Sequence, residues 1–362
     1  MIKAITIIGT RPQYIKASVV SPFLKDSGID EAIIDTGQHY SRNLSDIFID
    51  DLNISKIKYN LEIGSSTHGK QTGQMLEGIE KILMQETPDC TIVYGDTNST
   101  LAGALAAAKL HIPVIHIEAG LRCYNRELPE EVNRVIIDHI SHLLFTPILT
   151  ANENLKKEGI TRNVFFAGDV MYDLALNVRK NLDIESILGK FKLEKRKFVL
   201  VTFHRQENTD QPEALKKIWQ ALIQLAEKGI KIFFPIHPRT LKALESHRLI
   251  KGKIPANLVL VDPISYRDMV ALETAAGCII TDSGGVQKEA YFHGTRCIIL
   301  RKETSWVELI RNNWNILAGT NTTKIVNKTI NLLKSPAAKE KSSIFGDGNA
   351  GKKIAKLIRQ HI

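Results

Sequence analysis

The chain has 362 residues, 43% of them hydrophobic and 24% charged, and a formal net charge of +9. That length exceeds one ordinary hydrophobic core and predicts two domains, and the balance of apolar and charged residues excludes a disordered or fibrous chain. The excess of cations favours an anionic small-molecule partner; Lys and Arg are scattered apart from "KLEKRK" (192–197) and the tail "GKKIAKLIRQH", which read as solvated faces, so nucleic acid is not an expected partner.

The first element is "AITIIG" (4–9), a β-branched run too short for a signal-peptide core or a membrane span of about 20 residues, so a cytoplasmic protein with no membrane partner is expected. It runs into "GTRPQYIK". Gly9 allows a tight turn and Pro12 suits the first turn of a helix, where no amide hydrogen is needed. Arg11 and Lys16 surround that helix start; an anion is favoured there, which makes Arg11 either a phosphate ligand or a surface charge. The run "EAIID" (31–35) ends in "DTGQHY" and places Gln38 and His39 at the edge of the sheet. "CTIVYGD" (90–96) brings Asp96 to a strand tip, where it either caps the next helix or faces outward as a base. "VIHIE" (114–118) ends on Glu118; Arg122 follows in the loop, and Glu130, Glu131 and Arg134 begin the next helix. Asp96, Glu118 and Glu130 put up to three carboxylates around one cleft, and acid/base chemistry needs proton carriers on opposite sides of a carbon. "LLFT" (143–146) and "VFFAG" (164–168) complete six strands.

A charged stretch with no clear strand, residues 179–197, separates these from five more: "FVLVTFH" (198–204), "KIFFPIH" (231–237), "LVLVDP" (258–263), "CIITD" (278–282) and "RCIIL" (296–300). Their ends carry His204, then His237 with Arg239, and then Ser283, Gly284 and Gly285, a turn with free amides at a helix N-terminus that suits a phosphate. Ser283 as a nucleophile is disfavoured, because no Gly-x-Ser-x-Gly surrounds it. No Gly-x-Gly-x-x-Gly follows the first strand, which argues against a tightly held dinucleotide. Cys90, Cys123, Cys278 and Cys297 form no Cys-x-x-Cys pair and fit no zinc spacing; Cys90, Cys278 and Cys297 lie in or beside apolar runs and read as small buried hydrophobes. In the last segment Ile354, Leu357, Ile358 and Ile362 recur at helical spacing. Continuous apolar strands separated by helices predict an α/β fold of two doubly wound parallel-sheet domains, residues 1–170 joined by the helix 350–362, and residues 171–349.

"GTRPQYIK", "TGQH", "YGDTNSTLAG", "HIEAGLR", "PEEVNR", "HRQEN", "HPRT" and "TDSGGVQKEA" occur in one order over nearly the whole chain. As a set they resemble the non-hydrolysing UDP-N-acetylglucosamine 2-epimerase family. The resemblance implies the GT-B architecture, two Rossmann-like domains with the active site in the cleft between them. It implies inversion at C2 by elimination of UDP to a 2-acetamidoglucal and re-addition, with no metal or other cofactor. Asp96, Glu118 and Glu130 match the family's acid/base candidates, and His204 its essential histidine near the diphosphate. Arg11, Ser283 and Gly284 match the diphosphate cradle, and Glu289 a ribose ligand. Lys16, His39, Arg134, His237 and Gly285 complete the expected substrate-binding set. A homodimer is implied as well.

"THGKQTGQMLEGIE", "GDTNSTLAGALAAAKL" and "TSWVELI" are similar to the branch of UDP-2,3-diacetamido-2,3-dideoxyglucuronate 2-epimerases of surface-polysaccharide synthesis. Arg122 and Arg126 are then the candidates for reading the C6 carboxylate or the C3 acetamide. The alternatives are the simple UDP-N-acetylglucosamine 2-epimerase, a hydrolysing relative, a GT-B glycosyltransferase and a non-catalytic nucleotide-sugar binder. The stretch "GQHYSRNLSD" departs from members that bind a second UDP-sugar as activator.

Overall fold

A computed structural model describes residues 1–38, 57–252, 254–304, 306–335 and 343–362; His39 lies outside the described residues. The chain divides into two compact units, Met1–Leu174 with Ser343–Ile362, and Ala175–Ser342.

In the first unit the order is β1 (Ile2–Ile8), α1 (Arg11–Asp26), β2 (Ile29–Asp35), β3 (Ile57–Asn60), α2 (His68–Glu86), β4 (Cys90–Tyr94), α3 (Asn98–Lys109), β5 (Val114–Ile117), α4 (Pro129–Ile140), β6 (Leu143–Thr146), α5 (Leu149–Lys157) and β7 (Val164–Phe166). Among the described residues the strands form a seven-stranded sheet in the order β3-β2-β1-β4-β5-β6-β7, all pairs parallel. Alternate residues of each strand feed two cores. Ala4, Ile8, Ile92 and Tyr94 join one face; Ile5, Ile7 and Val93 join the other. A sheet buried on both faces needs continuous apolar strands, which is why the sequence shows runs rather than alternation.

The chain leaves this unit along α6 (Val170–Lys180) and continues with α7 (Ile184–Lys190), β8 (Phe198–Thr202), α8 (Gln206–Thr209), α9 (Pro212–Glu227), β9 (Lys231–Pro235), α10 (Pro238–Ser246), β10 (Leu258–Val261), α11 (Tyr266–Ala275), β11 (Cys278–Thr281), α12 (Gly284–His293), β12 (Cys297–Ile299), α13 (Val307–Arg311), β13 (Asn315–Leu317) and α14 (Thr322–Lys334). The second sheet, six-stranded among the described residues, has the order β10-β9-β8-β11-β12-β13 and is also parallel throughout. Val199 and Val201 face one core; Phe198 and Leu200 face the other. Cys90 and Cys278 sit buried among such side chains, and burial pushes each thiol up to about 12.

Two strands were not expected, and both lie at sheet edges. β3 is four residues with its burial alternating between half-buried and exposed, and β13 is three residues long. An edge strand needs no continuous apolar run, because one side has no neighbour to pair with.

The final helix, α15 (Ala350–His361), belongs to the first unit. Ile354 and Ile358 are fully buried, and Leu357 and Ile362 pack partly buried beside them. The approach of this segment demands glycine. Gly168 and Gly346 have φ of +96° and +88°, and a Cβ on Gly168 would stand 2.8 Å from the Phe345 carbonyl oxygen. No helix of the described residues is long and apolar enough to cross a membrane.

Asp173 of α6 accepts a hydrogen bond from the Gly351 amide at 2.9 Å, in the first turn of α15. Burial, only partly offset by amide bonds from Gly351 and Ala350, pushes its carboxyl up from 3.8 to about 6. The folded chain therefore holds this proton more tightly than the unfolded chain. Its contribution is most favourable below the ordinary aspartate range and is lost as pH rises from about 4 through about 6. Asp173→Asn keeps an acceptor for the amide and buries no charge. In urea titrations the variant is expected to exceed the parent by about 1–3 kcal/mol at pH 7.5 and to match it near pH 4. A variant less stable than the parent at pH 7.5 contradicts the assignment.

Candidate functional site

In the first unit the candidate groups gather where β1, β4 and β5 end. Gly9 begins the turn after β1; a Cβ there would lie 1.9 Å from Thr36 Oγ1 and 2.4 Å from Ser99 Oγ, so packing alone requires glycine. Gln13, one turn into α1 and 1% exposed, fixes this loop. Its Oε1 accepts from the Gly9 and Thr10 amides at 2.9 and 3.1 Å. Its Nε2 donates to the Tyr94 carbonyl at 2.9 Å and to Thr100 Oγ1 at 2.8 Å. The turn that leads into Arg11 and α1 is thus tied to the end of β4. The sequence reading missed Gln13, although a glutamine three residues after Thr10 at a helix start is a recognisable signal.

Asp96 does not cap α3. Thr97 does, its hydroxyl accepting from the Thr100 amide at 3.3 Å. The Asp96 carboxylate instead receives Arg134 Nε at 2.8 Å and Nη2 at 2.7 Å. Arg134 also reaches Glu131 at 2.8 Å. Burial opposes the guanidinium charge, but Asp96 and Glu131 outweigh it and raise its pKa above the ordinary value. Glu131 is buried and accepts from the Cys123 and Tyr124 amides at 3.0 and 2.8 Å. Burial works against its charge, but the amides of Cys123 and Tyr124 and then Arg134 prevail and hold the carboxyl low. Its role is to shape the 123–131 loop. Asn133 donates to the Asp96 carbonyl at 2.9 Å.

Glu118 follows β5 directly and pairs with Lys16 at 2.7 Å, the side chains 14% and 10% exposed. Its φ is +75°, a conformation that costs a non-glycine residue of order 1–3 kcal/mol and persists where the surroundings enforce it. Here the Glu118 and Ala119 amides both donate to the Phe145 carbonyl at 3.0 Å. Glu130, the second residue of α4, is exposed and has no side-chain hydrogen bond or ion pair among the described residues.

Arg122, expected as a sugar reader, is enclosed by two acids. Its side chain is 1% exposed, bonded to Asp138 at 2.7 Å and to Glu158 through both Nε and Nη2 at 2.7 Å. Burial opposes its charge, yet Glu158 and Asp138 keep it charged. The sequence placed Arg122 in a loop but could not show that two acids on α4 and beyond α5 enclose it. Arg126 is exposed and makes no hydrogen bond or ion pair among the described residues.

In the second unit Asp282, at the end of β11 and fully buried, organises the loop after β8. It accepts from the amides of His204 at 3.1 Å and Arg205 at 2.9 Å, and from Asn208 Nδ2 at 2.9 Å. An acid closing an apolar strand is the signal that could have found it. His204 stacks on His237, centroids 5.0 Å apart with an interplanar angle of 29°. His237 caps α10 through Nδ1, which accepts from the Arg239 amide at 3.1 Å, so its proton sits on Nε2. Its partial burial, then His204 and Arg239, lower its pKa.

Ser283 caps α12. Gly284 and Gly285 have ordinary negative φ, and a Cβ on either would meet nothing closer than 3.7 Å. Protein packing thus gives no reason for two glycines, whereas close approach of a ligand to the amides would. Glu289 lies half-buried farther along α12. Beneath it Glu273 is fully buried, and burial, then Glu289, pushes the Glu273 carboxyl well above the ordinary range. Among the described residues no cluster of three His, Cys, Asp or Glu could hold a metal.

The family model described as UDP-N-acetylglucosamine 2-epimerase matches residues 23–359. A "UDP-N-acetylglucosamine 2-epimerase homolog" of Methanococcus maripaludis is 50% identical over 361 residues, 99% of each chain. The Pseudomonas aeruginosa UDP-2,3-diacetamido-2,3-dideoxy-D-glucuronate 2-epimerase is 42% identical over 98% of this chain and 99% of its own. The crystal structure of Methanocaldococcus jannaschii UDP-GlcNAc 2-epimerase, in complex with UDP-GlcNAc and UDP, superposes with a TM-score of 0.86 at 41% identity, covering 99% of this chain and all of that one. The two parallel-sheet units described above are thus the α/β domains of that fold, and the chain belongs to the UDP-N-acetylglucosamine 2-epimerase family, a family of isomerases.

Proposed function

We propose that the chain inverts C2 of a UDP-2-acetamido sugar without hydrolysis. The observation that carries the reading is a pair of carboxylates, Asp96 and Glu118, at the ends of adjacent parallel strands, each paired with its own cation, Arg134 and Lys16. A C2 hydrogen with no adjacent carbonyl is not acidic, so simple proton exchange is excluded. One carboxylate takes the C2 proton as the C1–O bond breaks, and the electron pair of that bond leaves with UDP. The resulting C1=C2 double bond is then protonated at C2 from the other face as UDP adds back at C1. Two proton carriers are required, and Asp96 and Glu118, with Glu130 as third candidate, supply them. In the second unit the Ser283–Gly285 turn is the proposed diphosphate cradle, with His204 and His237 as its neighbours and Glu289 as the ribose ligand; in the first unit Arg11 is the candidate for an anionic group.

The substrate we propose is UDP-2,3-diacetamido-2,3-dideoxyglucuronate, an intermediate in the synthesis of surface polysaccharide. Its extra carboxylate at C6 calls for a cation, and with Arg122 enclosed, exposed Arg126 is the candidate. The second reading, UDP-N-acetylglucosamine itself, is favoured by the 43% identity to the M. jannaschii UDP-N-acetylglucosamine 2-epimerase, level with the 42% above. Rates on the two sugars decide. The uronate should be turned over at least about tenfold more efficiently, about 1.4 kcal/mol, less than one charged hydrogen bond can supply, and Arg126→Ala should narrow the gap. A wild-type preference for UDP-N-acetylglucosamine assigns the chain to the second reading.

Pairing of two copies is part of the proposal. Leu128, at the N-cap of α4, and Val132 and Ile136 within it are spaced four apart and are 38%, 40% and 38% exposed, with Tyr124 nearby in sequence at 66%. An apolar stripe of this kind favours burial against a second chain. Light scattering should give twice the 40.5 kDa of one chain, and a monomer at micromolar concentration ends this part of the reading.

A further inference from the structure

His116 lies in the middle of β5, fully buried in an otherwise apolar strand, and nothing in the chemistry above uses it. Its ring is not merely packed. Nδ1 is 2.7 Å from Asp138 Oδ1, and Nε2 is 2.8 Å from the Gly95 carbonyl oxygen. Both partners are acceptors, so a ring with both nitrogens protonated satisfies both. Asp138, on α4 and also fully buried, accepts from the Gly120 amide at 3.1 Å and from Arg122 at 2.7 Å on its other oxygen. Burial acts against the carboxylate, but His116 and Arg122 overcome it and lower its pKa. His116, Asp138, Arg122 and Glu158 thus form one connected network of side chains.

The points this network grips are informative. The Gly95 carbonyl belongs to the peptide that leads into Asp96, and Gly95 has a φ of +65°. Gly120, two residues after Glu118, has a φ of +79°. Glu118 itself stands between His116 and Gly120, both bound to the one Asp138 carboxylate. We infer that His116, locked by Asp138, is a positioning residue that fixes the backbone turns carrying Asp96 and Glu118 and so sets their approach to the C2 carbon. The inference rests on the reading of those two carboxylates as proton carriers.

The test separates positioning from folding. His116→Gln keeps a donor for Gly95 but turns an acceptor toward Asp138, and Asp138→Asn removes the anion. The double variant His116→Gln/Asp138→Asn restores donor-to-acceptor matching along the chain. UDP affinity is measured by calorimetry, and deuterium incorporation at C2 is followed in heavy water on UDP-N-acetylglucosamine and on the diacetamido-uronate. Each single variant is expected to lose about 100-fold in exchange, the scale of a small misplacement of a reacting group, with UDP affinity within about threefold. The double variant should recover at least about tenfold of that loss. Where a single variant fails to fold, the double is compared with the wild type, and slower exchange with intact UDP affinity is expected. Wild-type exchange in a folded variant, a double no better than the worse single, or UDP affinity falling in step with exchange would each overturn the inference. A wild-type chain that exchanges neither sugar refutes the underlying reading instead.

Discussion

Asp96→Asn, Glu118→Gln and Glu130→Gln are each expected to lower turnover by about 100-fold or more, the usual worth of a positioned acid or base, while UDP affinity stays within about threefold. The reason for the split is the division of labour proposed above: the carboxylates belong to the first unit, and most of the nucleotide-binding groups belong to the second. The three changes differ in what they leave behind. Asp96→Asn leaves Arg134 its bond to Glu131, so little structural change is expected. Glu118→Gln leaves Lys16, 8% exposed, without its carboxylate, and a lowered melting temperature should accompany the lost activity. Glu130 has no partner among the described residues, so Glu130→Gln should leave stability unchanged, and any loss of rate is a direct report on chemistry. Near-normal turnover in all three variants would refute the acid/base assignment.

His204→Asn should slow the elimination itself. Negative charge grows on the departing diphosphate as the C1–O bond breaks, and a donor placed there stabilises the transition state more than the bound substrate. The buried Asp282 holds the His204 and Arg205 amides, and the His237 ring lies against the His204 imidazole. The backbone of the loop therefore stays in place when the ring is removed. A loss of about 100- to 1,000-fold in both epimerisation and C2 exchange is expected. If the variant exchanged the C2 hydrogen at the normal rate and failed only in net epimerisation, His204 would have no part in expelling the diphosphate.

Much of the fold could be read from the sequence because both sheets are buried on two faces, which turns each central strand into an apolar run. The edge strands β3 and β13 escaped for the same reason reversed: one side is unpaired, so four and three residues suffice and no run appears. The proposed carriers of chemistry, Asp96, Glu118 and His204, stand where an acid or histidine ends or follows a strand, a position that a sequence displays. Residues that hold those groups are not so displayed. His116 sits inside an apolar run and its partner Asp138 is 22 positions away on a helix, so only the folded chain brings them together. Arg122 looked available because a loop position says nothing of the acids that surround it. Asp282 closes the apolar run "CIITD", but its task, gripping a loop 77 and 78 residues earlier, shows only in the folded chain.

In the proposed reaction UDP leaves and returns while a proton is removed from one face of C2 and delivered to the other. Incubation with UDP-N-acetylglucosamine and, separately, with the diacetamido-uronate in heavy water, read by NMR at C2, tests it most directly. Deuterium is expected at C2 in both epimers of the sugar that is turned over, with no free sugar released. Turnover without deuterium at C2, or release of the free sugar, would contradict it.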